Sequence, residues 1–587
     1  MHHETKDAIE WRAAWGLLGK YLGPHAAWVA GLAVLLLAGI GVQLLSPQIM
    51  RRFIDGAGDA QVPLNAVLAS ALLFIGAALG QQLLAVLTTY VSQRVAWRAT
   101  NALRQDLTLH CLGLDLSFHN DHSPGEMIER IDGDVAGLAS FFSRFVVQVL
   151  GNLLLLAGTL AVFAAEDWRL GLVMALYAGL TLAGLVRLHQ VAIPLWHSAR
   201  QVAADLYAFL EERLAATLDL RALGARPYTL QRLCDYTGER LGRELSAGLA
   251  NLRIRYVDTG SYALGQVLTV AAGYYLYRRA GASIGTVAML VYYMDLLHRP
   301  LAQLTQQLEE LQQAGASIGR VRQLYGYQSA IRTRAPLSLP GGPLGVEFCQ
   351  VSFAYHQEPV LTGISFEVPA GRVLGLLGAS GSGKTTVTRL LARLYEPRDG
   401  AVLVGGRDLT RIEPQTLRQR GALVPQQVHL LSGSVRDNIT LFDDDYPDRI
   451  VDDAVRAVGL GAWLDGLPQG LEEPLAGDRG GLSAGEAQLL ALARAFLADP
   501  GLVILDEASS RLDPATEAQI ERAIGRLLKG RTGIVIAHRL STVRRVDNIL
   551  ILDQGHIQEQ GARAALAADP RSRFAQLLET GLDGKRQ

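Results

Sequence analysis

The chain has 587 residues, of which 49% are apolar and 19% charged, and its formal net charge is −1. That length is too great for one domain, and the near-neutral balance argues against a nucleic-acid partner. The apolar excess is concentrated before about residue 300, which makes the first half the membrane candidate and the second half the soluble one.

The N-terminal MHHETKDAIEWRAAWGLLGKYL alternates acidic and basic residues before an amphipathic run, with no cleavable signal sequence, and reads as a surface helix. His2 and His3 read as a solvated terminus rather than a metal site. A membrane helix needs roughly 20 mostly apolar residues. AWVAGLAVLLLAGIGVQLL from Ala27 and AVLASALLFIGAALGQQLLAVL from Ala66 qualify. FVVQVLGNLLLLAGTLAVFAA from Phe145 and LGLVMALYAGLTLAGLV from Leu170 are joined by so short a polar turn, around Glu166, Asp167 and Trp168, that they form a hairpin. The fifth and sixth spans begin at Thr259 and Ile284 and are interrupted by Gln266, Asp295 and His298.

Ionisable groups at membrane depth are costly and usually face a cavity, so Asp295, His298 and Arg299 carry two equal readings, a structural ion pair and a substrate contact. The tyrosines at 274, 275, 277, 292 and 293 read as an interfacial belt. The polar inserts after the second and fourth spans read as helices running on past the bilayer. Arg187 to Arg255 holds ten arginines, whereas the opposite loops hold Arg51, Arg52, Arg169, Arg278 and Arg279. The excess puts the long inserts and both termini in the cytosol, with Arg51 and Arg52 against the trend. Cys111, Cys234 and Cys349 are scattered, with neither a disulfide framework nor metal-ligand spacing.

RTRAPLSLPGGPLG, Arg332 to Gly345, breaks the helical pattern and reads as a linker between a membrane domain, 1–331, and a soluble domain, 346–587. In the soluble part GLLGASGSGKTT follows an apolar strand, Val373 to Leu377, and opens a helix over Thr385 to Leu394. Gly378, Gly381 and Gly383, interleaved with Ala379, Ser380 and Ser382, allow close backbone approach to phosphate. Lys384 supplies a point charge on the outer phosphates, and Thr385, followed by Thr386, a hydroxyl for Mg²⁺. LVILDE is a buried strand ending in two carboxylates: Asp506 suits Mg²⁺, and Glu507 suits a general base or water-positioning group. His538 follows the apolar IVIA; a histidine there is more often structural, and a donor to a γ-phosphate is the open alternative.

With LSAGEAQ, beginning at Leu482 between the glycine loop and the acidic strand, this order resembles the ATP-binding cassette family. The resemblance implies a polytopic α-helical membrane domain, with six transmembrane helices and long cytosolic extensions, fused to an α/β phosphate-loop ATPase domain with a helical subdomain. It assigns Tyr355 to adenine stacking, Gln426 to Mg²⁺ and to sensing the membrane part, and Asp513 to communication across an ATPase dimer. Ser483 and Gly485 are assigned to the γ-phosphate held by a partner. Ala484 and Glu486 depart from the commoner glycine and glutamine, and the extra carboxylate weakens that signature.

In the exporter-type members that the chain resembles, Leu116 to Gly125 and Glu211 to Leu218 match short transverse helices that dock on the ATPase. The implied protein is a half-transporter in the cell membrane, using ATP and Mg²⁺. It exports a hydrophobic or amphipathic substrate such as a drug, lipid or peptide by alternating access, with membrane lipid and a second half-transporter as partners. A heterodimer is favoured over a homodimer. An importer built on the same frame, or an ATP-gated channel or regulator, stays open as an alternative.

Overall fold

The computed structural model describes residues 16, 19–59, 61–140, 146–279, 281–333, 335–475, 481–506, 513–537 and 543–580. It divides into two compact units: Met1–Leu112 with Ser123–Tyr327, and Gly113–His122 with Gln328–Gln587. Most of the N-terminal surface-helix segment, His2 and His3 included, lies outside the described residues.

The first unit is built from long helices: α1 (Ala26–Gly58), α2 (Leu64–Leu112), then, beyond the short α3 (Leu116–Asp121) that belongs to the second unit, α4 (Val146–Glu166), α5 (Trp168–Ala215), α6 (Thr217–Ala222), α7 (Arg226–Arg279) and α8 (Ile284–Gly326). Each of the six expected spans lies on one of the long helices. Among the described residues, the helices at 19–58, Leu64–Leu112, Val147–Glu166 and Trp168–Ala215 are long and apolar enough to cross a membrane. Helices α7 and α8 have the length but are more polar, with Tyr262 and Gln266 on the one and Asp295 and His298 on the other.

Where the chain reverses between α4 and α5, Asp167 is extended and caps α5 by accepting from Arg169 N at 2.7 Å. A Cβ at Gly171 would stand 2.7 Å from Ala164 Cα, so glycine permits the tight hairpin. Arg51, anomalous by charge bias, pairs with Glu166 at 2.9 Å. Asp55, one turn on, accepts from Ser283 Oγ at 2.6 Å and from Gly285 N at 2.8 Å, fastening α1 to the start of α8. Phe163, Met174, Leu290, Tyr293 and Leu297 fill the core. The second transverse helix is displaced from its expected place: α5 runs on to Ala215, breaks at Ala216, and the short helix is α6.

In the second unit, β1 (Val346–Tyr355), β2 (Glu358–Val368), β4 (Asp399–Val404) and β5 (Arg407–Asp408) form an antiparallel sheet in the order β2-β1-β4-β5, separated in sequence by β3 (Val373–Gly378) and α9 (Lys384–Leu391). The second sheet runs β10-β9-β3-β8-β7-β6, comprising β6 (Gly421–Val424), β7 (Leu502–Asp506), β8 (Thr532–Ile536), β9 (Asn548–Asp553) and β10 (His556–Ala562). It is parallel except for β10 at its edge. Its central strands read as continuous apolar runs because both faces are covered. One face packs with β1 and β2, the other with a helical layer that includes α10 (Val435–Thr440), α11 (Asp448–Ala457), α12 (Ala484–Leu497) and α13 (Pro514–Leu528).

Helix α9 stops at Leu391, short of the expected Leu394. Arg393 turns left-handed at φ 51° and inserts a buried guanidinium that donates to Ile412 O, Thr333 Oγ1, Thr410 O and Arg332 O. Satisfying that cation outweighs another helical turn.

Candidate functional site

The phosphate loop is shaped by its backbone. Gly378 ends β3 at φ 148°, and a Cβ there would lie 2.1 Å from Leu552 O. Gly383, at φ 104°, precedes α9 without any side-chain cap, leaving the first-turn N–H groups to serve an anion. Ala379, Ser380 and Gly381 form the exposed rim, whereas Ser382, Gly383 and Lys384 are buried. Ser382 Oγ is shielded from solvent and has no hydrogen-bond partner among the described residues. The Lys384 ammonium donates to Gly378 O at 2.9 Å and Ala379 O at 2.8 Å. Burial pulls its pKa below the ordinary lysine value, and the nearby Asp506 charge opposes that shift. Glycines without Cβ, unsatisfied N–H donors and a desolvated cation together fit a polyphosphate.

Asp506 ends β7, half-buried and directly opposite Ile536 of β8. Thr385 and Thr386 open α9, and Thr386 Oγ1 lies 3.3 Å from the hydroxyl of Tyr355, the last residue of β1. Arg389 Nη1 donates to the same hydroxyl at 3.2 Å. Tyr355 meets Tyr395 edge-on, with ring centroids 5.2 Å apart. Asn120 of α3 donates to the Tyr395 hydroxyl at 2.6 Å, and His356 Nε2 is 3.2 Å from Asp121. The first transverse helix thus sits beside the aromatic end of the site. Sequence reading missed Arg389 and Tyr395, because neither belongs to a spaced motif and only the fold brings them to Tyr355.

The remaining candidates stand apart. Gln426 is exposed in the turn after β6. Ser483 caps α12 and Gly485 is buried in its first turn. Glu486 folds back onto that cap: its carboxylate accepts from both Ser483 N and Ser483 Oγ at 2.8 Å. Asp513 caps α13, accepting from Ala515 N and Thr516 N at 3.0 Å, and hydrogen bonds led by Thr516 hold its carboxyl below the usual range. No hydrogen bond or ion pair among the described residues joins Ser483, Gly485 or Asp513 to the phosphate loop. Glu507 and His538 lie outside the described residues.

Residues 361–510 match the family model described as ABC transporter, and residues 29–301 the ABC transporter transmembrane region. An uncharacterised ABC transporter ATP-binding protein of Bacillus subtilis is 30% identical over 81% of this chain and 78% of its own length. The chain belongs to the ABC transporter family. A fatty acid ABC transporter ATP-binding/permease protein of Mycobacterium tuberculosis is 31% identical over 79% of this chain and 74% of its own. The structure of a bacterial Atm1-family ABC exporter with ATP bound superposes with a TM-score of 0.79, at 26% identity, over 96% of this chain and 99% of that one. This ABC transporter is of the exporter type, a multi-pass membrane protein whose cassette domain binds ATP and couples its hydrolysis to transport.

Proposed function

We propose that the chain is one half of a dimeric exporter in the cell membrane that moves a hydrophobic or amphipathic substrate outward by alternating access. Its domain limits are 1–331, linker 332–345 and 346–587, with the ATPase and both termini in the cytosol. The carrying observation is the phosphate cradle, with its uncapped α9 terminus and buried Lys384, in a chain whose spans all lie on long helices. The fatty-acid relative supports an amphipathic substrate.

In this reading Tyr355 stacks on adenine, the loop from Gly378 to Thr386 binds the phosphates, and Lys384 neutralises the outer ones. Thr385, Gln426 and Asp506 hold Mg²⁺, which when bound offsets phosphate charge. Glu507 orients the attacking water and His538 donates to the γ-phosphate. Ser483, Gly485 and Asp513 serve the site across the dimer, consistent with their separation from this chain's own loop.

We favour a non-identical partner. Glu486 occupies the Ser483 hydroxyl and puts a carboxylate where a partner's γ-phosphate would arrive, so this chain lends a weak signature while keeping its own catalytic set. Two measurements test the reading. ATP-dependent accumulation of a lysophosphatidylethanolamine with a fluorescently labelled acyl chain in inside-out vesicles is expected, and ATP-dependent loss would reverse the direction. Robust ATPase activity from a purified homodimer would overturn the heterodimer.

A further inference from the structure

The polar residues of the fifth and sixth spans converge. Asp258, Tyr262 and Gln266 recur every four residues along α7 and share one stripe of that helix. His298 of α8, nine-tenths buried, lies against it, with Nε2 3.2 Å from Asp258 Oδ1 and its ring 5.0 Å from that of Tyr262. On its other side His298 Nδ1 is 3.3 Å from the Tyr177 hydroxyl of α5, which donates to Ser261 O at 3.0 Å.

The two acids of this cluster differ. Asp295 accepts from the Tyr262 hydroxyl and from Gln266 Nε2, so its charge is answered inside the helix bundle. Asp258 Oδ1 is shielded from water and, although His298 Nε2 is 3.2 Å away, has no hydrogen-bond partner among the described residues. Asp258 also stands at the edge of a cavity of about 430 Å³, whose wall includes Arg255, Asn251 and His189 beside Leu185 and Ile254. Arg255 precedes Asp258 by one helical turn, within about 5–6 Å at Cβ. The two nonetheless form no ion pair with each other, and Arg255 has no hydrogen bond or ion pair among the described residues.

A cavity that offers an unanswered cation one turn from an incompletely answered anion discriminates by charge. An anionic ligand at Arg255 meets the Asp258 carboxylate, and a cationic one at Asp258 meets the guanidinium. A ligand carrying both signs avoids each repulsion. We propose that this cavity is a substrate subsite for a zwitterionic head group, its acidic part on Arg255 and its ammonium on Asp258, with His298 and Tyr177 positioning the carboxylate. The proposal deepens the export reading and names its substrate class.

The test is native mass spectrometry of the full-length detergent-purified protein, titrated with three probes of one chain length. These are lauroyl lysophosphatidylethanolamine, lauroyl lysophosphatidic acid and dodecylamine. Wild type should prefer the zwitterion by about tenfold, the scale of one charge-assisted contact. Arg255→Gln should erase the preference over dodecylamine, and Asp258→Asn the preference over lysophosphatidic acid. Phosphorylethanolamine binding as tightly as the acylated probe would assign the site to a small zwitterion rather than a lipid. Equal binding of all three probes to wild type, or a preference surviving both variants, overturns the proposal. Arg255 is exposed, so its variant stays informative if Asp258→Asn does not fold. ATP-driven transport assayed after the same preparation is reconstituted into liposomes separates failure of this subsite from failure of the export reading.

Discussion

The buried Lys384 and the half-buried Asp258, one of whose oxygens is shielded from water, are held in opposite ways by the two units. The ammonium rests on carbonyls of its own loop, five and six residues back in the chain. The carboxylate faces His298, which is oriented in turn by Tyr177 from a third helix. One site is backbone folded over a short stretch, the other side chains gathered from distant stretches. A backbone-built site tolerates few residue types at each position and so writes a motif. A side-chain-built site demands only convergence, which many sequences satisfy.

The largest effect is expected at Glu507, the carboxylate that we propose orients the attacking water. Glu507→Gln should leave ATP binding intact and lower turnover by on the order of 10²–10⁴. Hydrolysis within a few-fold of wild type, with any partner's site silenced, would remove Glu507 from its role. Lys384→Ala should weaken ATP binding by roughly 10- to 100-fold, the loss of a charge-assisted contact. Burial lowers the Lys384 pKa, and its ammonium is present below that pKa and lost as pH rises through it. ATP affinity should therefore fall in the alkaline range earlier than for an exposed lysine, and a flat profile would argue against a ground-state role.

Gly378→Ala tests whether backbone shape alone holds the loop. The added Cβ, 2.1 Å from Leu552 O, should cost on the order of 1–3 kcal/mol and lower the melting midpoint by several degrees. An unchanged midpoint would mean that the strand end yields. Asn120→Ala removes the 2.6 Å bond to Tyr395, worth about 1 kcal/mol, and should lower transport per ATP hydrolysed more than ATP affinity. Equal losses would assign Asn120 to stability. The smallest effect expected is from Glu486→Gln, which frees the Ser483 hydroxyl from a carboxylate and should raise turnover about two- to threefold. A fall would show that the capping box serves catalysis.

Sequence by itself determined the glycine loop, its strand and helix, the acidic strand and the signature turn, because each is a local conformation that few residues allow: Gly378 and Gly383 adopt positive φ that other side chains resist. It also located the first four spans, since a run of apolar residues the thickness of a bilayer has few other uses. Tertiary structure alone decided the rest. Arg393 ended α9 early to reach the carbonyls of Arg332, at the start of the linker, and Thr410. Arg389 and Tyr395 reached Tyr355 through the packing of α9 against β1. Asp258, His298 and Tyr177 met because α5, α7 and α8 pack together, and although the sequence marked His298 as costly at membrane depth, it did not name these partners. Local backbone geometry is written in the residues that adopt it, whereas a contact between distant helices is fixed by the sum of their packing.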